Sequence, residues 1–131
     1  MKKLLLVEDD DAVCRYLENR LKEYCEVISV KNPEDIMRLF ENENPDGVLM
    51  DYELWGGLKG TQFLEIMRER RSEIPVMMMT GNHGMAPELG SLSDGCFLKP
   101  LDIEILKKRF IQIGLIQDKI NGSAPENSRN K

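Results

Sequence analysis

Histidine occurs once in these 131 residues and cysteine three times, and each scarcity argues against a class of chemistry. The cysteines, Cys14, Cys25 and Cys96, are odd in number and show neither a CxxC pair nor Cys/His ligand spacing. That pattern argues against a disulfide framework, a zinc site and a dithiol redox centre, and it reads as three reduced thiols in the cytoplasm. His83, alone in a Gly-rich stretch, has no partner for metal or acid–base work and reads as a solvated loop residue. No apolar run approaches the ~20 residues of a membrane span. Met1-Lys2-Lys3 and the four apolar residues after it are cut short by Glu8-Asp9-Asp10-Asp11, where a secretory signal needs small residues. Positive charge is also in deficit. Eighteen Lys and Arg against 23 Asp and Glu leave a net charge of −5, so direct nucleic-acid binding is not expected. The clusters Arg68, Arg70, Arg71 and Lys107, Lys108, Arg109 read as solvated helix faces.

What is present is the composition of one ordinary globular domain, 41% apolar and 31% charged, with enough chain for a real core. Short apolar runs predict strands near 3–7, 26–30, 46–50, 75–79 and 95–98. Between them the apolar residues recur at helical spacing. Val13, Leu17, Leu21 and Tyr24 mark a first helix with Asp11 as its cap, and Asp10 and Asp11 suit its first turn through the helix dipole. Ile36, Leu39 and Phe40 mark a second helix, with Asn32 as cap and Pro33 at its first position. A third runs from Gly60-Thr61 to before Ile74-Pro75, a short fourth occupies Ala86–Leu92, and a fifth starts at the cap Asp102. Residues 1–120 therefore form one domain, and the polar stretch 121–131 is expected to be disordered. Strands alternating with helices imply an α/β fold, a five-stranded parallel sheet with helices on both faces.

In such sheets ligands bind beyond the carboxyl ends of the strands. Four strand ends carry chemistry here: Glu8 and Asp9 after Leu4–Val7, Asp51 after Val48–Met50, Thr80 after Val76–Met79, and Lys99 after Cys96–Leu98. Three carboxylates brought together repel and raise one another's pKa unless a cation neutralises them. Magnesium suits them, because it binds through one or two carboxylates and keeps room for waters and a phosphoryl oxygen. Lys99 adds a mobile positive charge and Thr80 a hydroxyl, and an aspartate so placed can act as a nucleophile toward phosphorus.

These residues resemble the receiver domain of two-component response regulators, over roughly residues 2 to 115. The motifs that carry the resemblance are Leu5-Leu6-Val7-Glu8-Asp9-Asp10 with Arg15 downstream, Val48-Leu49-Met50-Asp51, Met79-Thr80-Gly81 and Phe97-Leu98-Lys99-Pro100. The resemblance implies a flavodoxin-like (β/α)5 fold and a phosphorelay role. Asp51 would take a phosphoryl group from a histidine kinase or histidine phosphotransfer protein. Glu8, Asp9, Asp51 and the backbone carbonyl of Glu53 would hold Mg2+. Thr80 and Lys99 would bind the phosphoryl group, and Lys99-Pro100 would be a cis peptide. The expected output is contact with a downstream protein target, with no output domain after the polar stretch.

The sequence departs from the family pattern in three places. Trp55 stands four residues after Asp51, where proline is usual. The loop Trp55-Gly56-Gly57-Leu58-Lys59-Gly60 is one residue longer than the commonest form. Cys96 occupies the switch position that usually carries Tyr or Phe, and the stretch from Thr80 to Lys99 is short, implying a shortened fourth helix. Two other functions stay open: a phosphorylation-independent interaction module on the same fold, and an aspartyl-phosphate phosphatase, for which Glu53 stands where an acid/base aspartate is needed.

Overall fold

The computed structural model describes residues 1–118; the stretch 121–131, expected to be a polar tail, lies outside them, as do the last two residues of the expected 1–120 domain. Five strands, β1 (Lys3–Val7), β2 (Glu26–Val30), β3 (Gly47–Asp51), β4 (Val76–Thr80) and β5 (Cys96–Leu98), alternate with five helices. The helices are α1 (Asp11–Leu21), α2 (Asp35–Glu43), α3 (Gly60–Arg70), α4 (Ala86–Leu92) and α5 (Ile103–Gln112). All strand pairings are parallel, in the order β2-β1-β3-β4-β5. The chain therefore reverses its winding direction after β2, and the crevice above β1 and β3 is where such a sheet offers a site.

Alternation along the strands sorts the core into two layers. Leu4, Leu6, Leu49, Met77, Met79 and Phe97 face α1 and α5, packing on Cys14, Leu17, Leu21, Leu106 and Phe110. Leu5, Val7, Val48, Met50, Val76 and Met78 face α2, α3 and α4, packing on Ile36, Phe40, Leu64, Met67 and Leu89. Every residue of β3 and β4 is buried, as central strands covered on both faces must be.

Local chemistry sets the element ends, and at several of them it differs from the sequence expectation. The cap of α1 is Asp10, whose carboxylate accepts from the N–H groups of Ala12 and Val13, and Asp11 is the first helical residue. The helix begins one residue early because Glu8 Oε2 accepts the Asp10 N–H at 3.1 Å and fixes that residue in extended geometry. α2 starts at Asp35, two residues after Pro33: Asn32 and Pro33 offer their backbone carbonyls to Asp35 and Ile36, so a turn precedes the helix and no side chain caps it. β3 and β4 each run one residue later than expected, because Asp51 and Thr80 remain paired in the ladder, with Met79 and Leu98 respectively. α4 has seven residues against nine to eleven in the others. The Lys99-Pro100 bond is cis. Among the described residues no helix is long and apolar enough to cross a membrane.

Candidate functional site

Parallel strands ending on one side carry Glu8, Asp9, Asp51, Thr80 and Lys99 to a single edge. Asp51 ends β3 and is buried, and Thr80 ends β4 and is fully buried. Glu8 is buried immediately after β1, while Asp9 beside it is exposed. Oxygens of Glu8, Asp9 and Asp51 all lie within 4.8 Å of one another. Lys99 reaches across from the end of β5: its ammonium lies 2.9 Å from Asp51 Oδ2 and 2.6 Å from Glu8 Oε1. One cation thus bridges two buried carboxylates that would otherwise repel.

The electrostatics follow from that burial. Desolvation pushes the Glu8 carboxyl up from 4.5 to about 7, and the nearby Asp51 charge adds to the rise, although the hydrogen bond from Lys99 opposes it. Burial by itself would lower the Lys99 ammonium, but its hydrogen bonds to Glu8 and Asp51 outweigh this and hold it above the ordinary lysine range. The edge remains short of positive charge, with three carboxylates facing one ammonium. An all-oxygen, carboxylate-rich donor set partly open through Asp9 is what a hard divalent cation takes, so the residues present fit magnesium.

The remaining expected positions differ in character. Glu53 is exposed, and its N–H sits 3.5 Å from Asp51 Oδ1. Cys96 is half-buried in β5, paired with Met78, and packs on the layer beneath α4. It lies two residues short of the edge and joins no group there. His83 is exposed in a single turn before α4. Trp55 is half-buried against the α2–α3 layer.

Two contributors escape a reading of the sequence. Asn82 donates its N–H to Thr80 Oγ1 at 3.0 Å and accepts the Gly84 N–H on its own side chain at 3.0 Å. Thr-x-Asn in a Gly-rich stretch is a turn signal that could have revealed it. Cys14, on the first turns of α1, donates its thiol to the Glu8 carbonyl at 3.3 Å; nothing in the residue pattern announces that contact.

Beside the edge, Ala12, Val13, Tyr16, Lys99, Pro100 and Leu101 line an open, mainly apolar groove of about 410 Å³.

Comparison with known proteins places this geometry. A family model described as the response regulator receiver domain matches residues 4–111. The probable transcriptional regulator ycf27 of Cyanophora paradoxa is 30% identical over 112 residues, covering 82% of this chain and 46% of that protein. The chain spans about half the length of most of the curated relatives it matches. Among solved structures, the receiver domain of a DNA-binding response regulator (merR) from Colwellia psychrerythraea is 28% identical, with a TM-score of 0.72 over 86% of this chain and 98% of that one. The response regulator TrrA of Thermotoga maritima, solved in complex with Mg2+–BeF, superposes with a TM-score of 0.77 at 23% identity, covering 86% and 99% of the two chains.

Proposed function

The chain belongs to the response regulator receiver domain family of two-component signal transduction, and from that premise we propose that Asp51 is its phosphoacceptor. The observation that carries this reading is the Lys99 ammonium held 2.9 Å from Asp51 Oδ2 at the open end of the sheet. It sets a positive charge beside the nucleophile, where the oxygens of a transferring phosphoryl group develop negative charge.

The donor is a phosphohistidine on a histidine kinase or histidine phosphotransfer protein. An Asp51 carboxylate oxygen attacks phosphorus, the P–N bond to the donor imidazole breaks with its electron pair passing to nitrogen, and an acyl phosphate remains. Lys99 then pairs with the phosphoryl group, and the Thr80 hydroxyl turns from its Asn82 contact to donate to a phosphoryl oxygen. Glu8, Asp9, Asp51 and the Glu53 carbonyl would hold magnesium, which when bound would neutralise charge on the phosphoryl oxygens. The groove formed by Val13, Tyr16 and Leu101 beside Lys99 suits contact with the donor protein, since Tyr16 is 41% exposed there. The output is altered affinity for a downstream protein target.

Two observations favour a second reading, a phosphorylation-independent interaction module: Cys96 at the usual aromatic position and the seven-residue α4. The phosphatase reading is weaker, because Glu53 is exposed and a hydrolytic acid/base needs a site from which water is largely excluded. Incubation with a small phosphodonor and Mg2+, followed by intact mass measurement, separates the first two. An acid-stable, base-labile adduct that disappears in Asp51→Asn is expected. An unreactive wild type favours the interaction module, and an undiminished adduct on the variant rules out Asp51.

A further inference from the structure

The longer loop after β3 does not hang free over the site. Glu53 and Lys59 form an isolated antiparallel bridge, Leu54 N–H donates to Leu58 O at 2.9 Å, and Gly60 N–H donates to Tyr52 O at 2.7 Å. Gly56 and Gly57, at φ 60° and 82°, make the reversal that closes this small hairpin, a backbone only glycine adopts without strain. Its closing residue, Lys59, is held twice. Its N–H donates to Gln62 Oε1 at 2.9 Å at the start of α3, and its ammonium lies 5.0 Å from the centroid of the Tyr52 ring. Tyr52 directly follows Asp51, and Glu53 in turn presents its N–H to Asp51 Oδ1 at 3.5 Å.

We propose that Lys59 is a positioning residue: by clamping the hairpin onto Tyr52 it fixes the Glu53 peptide relative to Asp51, and so sets how tightly the edge holds its cation. The inference rests on the reading of Glu8, Asp9, Asp51 and the Glu53 carbonyl as the magnesium site. It concerns this chain's own loop, since Lys59 approaches the acids only through Tyr52 and Glu53. The sign of the effect distinguishes positioning from plain electrostatics. Removing a positive charge near three carboxylates should strengthen cation binding by Coulomb's law, whereas loosening the clamp should weaken it.

The test is a magnesium titration of the full chain followed by the fluorescence of Trp55, the one tryptophan, which lies within the same hairpin. It is run at physiological salt and again at about 1 M, where the Debye length shrinks to ~3 Å and the charge effect fades. In Lys59→Ala the midpoint should rise about two- to fivefold, the range a cation–π contact supports, with an unchanged urea midpoint for unfolding. Lys59→Arg, which keeps a cation over the ring, should restore the wild-type value. Lys107→Ala, which removes a lysine stacked on Tyr24 at a distance from the edge, should leave the midpoint unchanged. A midpoint that is unaltered or lower in Lys59→Ala at high salt, a loss shared by Lys59→Arg, or an equal loss in Lys107→Ala would each overturn the inference. No magnesium response in the unaltered chain would instead overturn the reading of the site itself, and this inference with it.

Discussion

Glu8 has the sharpest conflict of any single residue in the structure. It is 2% exposed, yet its carboxyl must lose its proton for Lys99 to pair with it fully and for a cation to bind. Its folded pKa of about 7 lies above the ordinary 4.5, with burial as the main cause. Between those values the folded chain holds a proton that the unfolded chain releases. The stabilisation this gives is complete below about pH 4.5 and is lost as pH rises through about 7. In chelator, the urea midpoint of the wild type should therefore fall from about pH 5 to 8, by up to roughly 3 kcal/mol in stability. Glu8→Gln should lack that slope, and added magnesium should flatten it by compensating the ionised form. A wild-type midpoint that does not fall, or a parallel fall in Glu8→Gln, would show that burial is not what perturbs this carboxyl. Residue type made this edge legible beforehand, because carboxylates, a hydroxyl and an ammonium after apolar runs have few other uses. Cys14 was not legible, since its contact depends on where a helix sets a thiol against a main-chain carbonyl, and Asn82 left only a turn signal in the sequence.

Among the elements, α3 is fitted most closely to the site. A Cβ added to Gly60, its first residue, would stand 2.4 Å from the Asp51 carbonyl oxygen and 2.8 Å from Met78 Cε. The methionine tip can yield, but the strand carbonyl cannot, so the helix start or the end of β3 must shift. Alanine is the better helix former by up to about 1 kcal/mol, yet overpacking against backbone costs about 1–3 kcal/mol. Gly60→Ala should therefore lower stability by a net ~1–2 kcal/mol and slow adduct formation at Asp51; a raised urea midpoint would mean that α3 re-seats freely. Short apolar runs located all five strands to within a residue, and Gly81, Gly84, Pro87 and Gly90 limited α4 to its observed extent. Helix starts were less legible. Asp10 and Asp11 are both good caps, and only the Asp10 N–H contact with Glu8 decides between them. At α2, proline fixes the turn that comes first and leaves the helix to begin at Asp35.

At the scale of the whole molecule, the sheet divides the core into two layers that meet only through the strands. The alternation of side chains along each strand and the strand order produce this division; the sequence pattern foretold helices on both faces of the sheet but not the strand order. The apolar runs are continuous, so they mark strands buried on both faces without saying which strands are neighbours. The three thiols are distributed unequally across this architecture. Cys14 and Cys25 are buried in the α1–α5 layer and held up to about 11 by burial, while Cys96 stands half-buried on the opposite face beside α4. The protein thus carries its own conformational counter. Alkylation read by intact mass should reach one sulfhydryl in the folded chain and three in denaturant. A label on that one sulfur would sit against α4, two residues before Leu98, the β5 residue paired directly with Thr80.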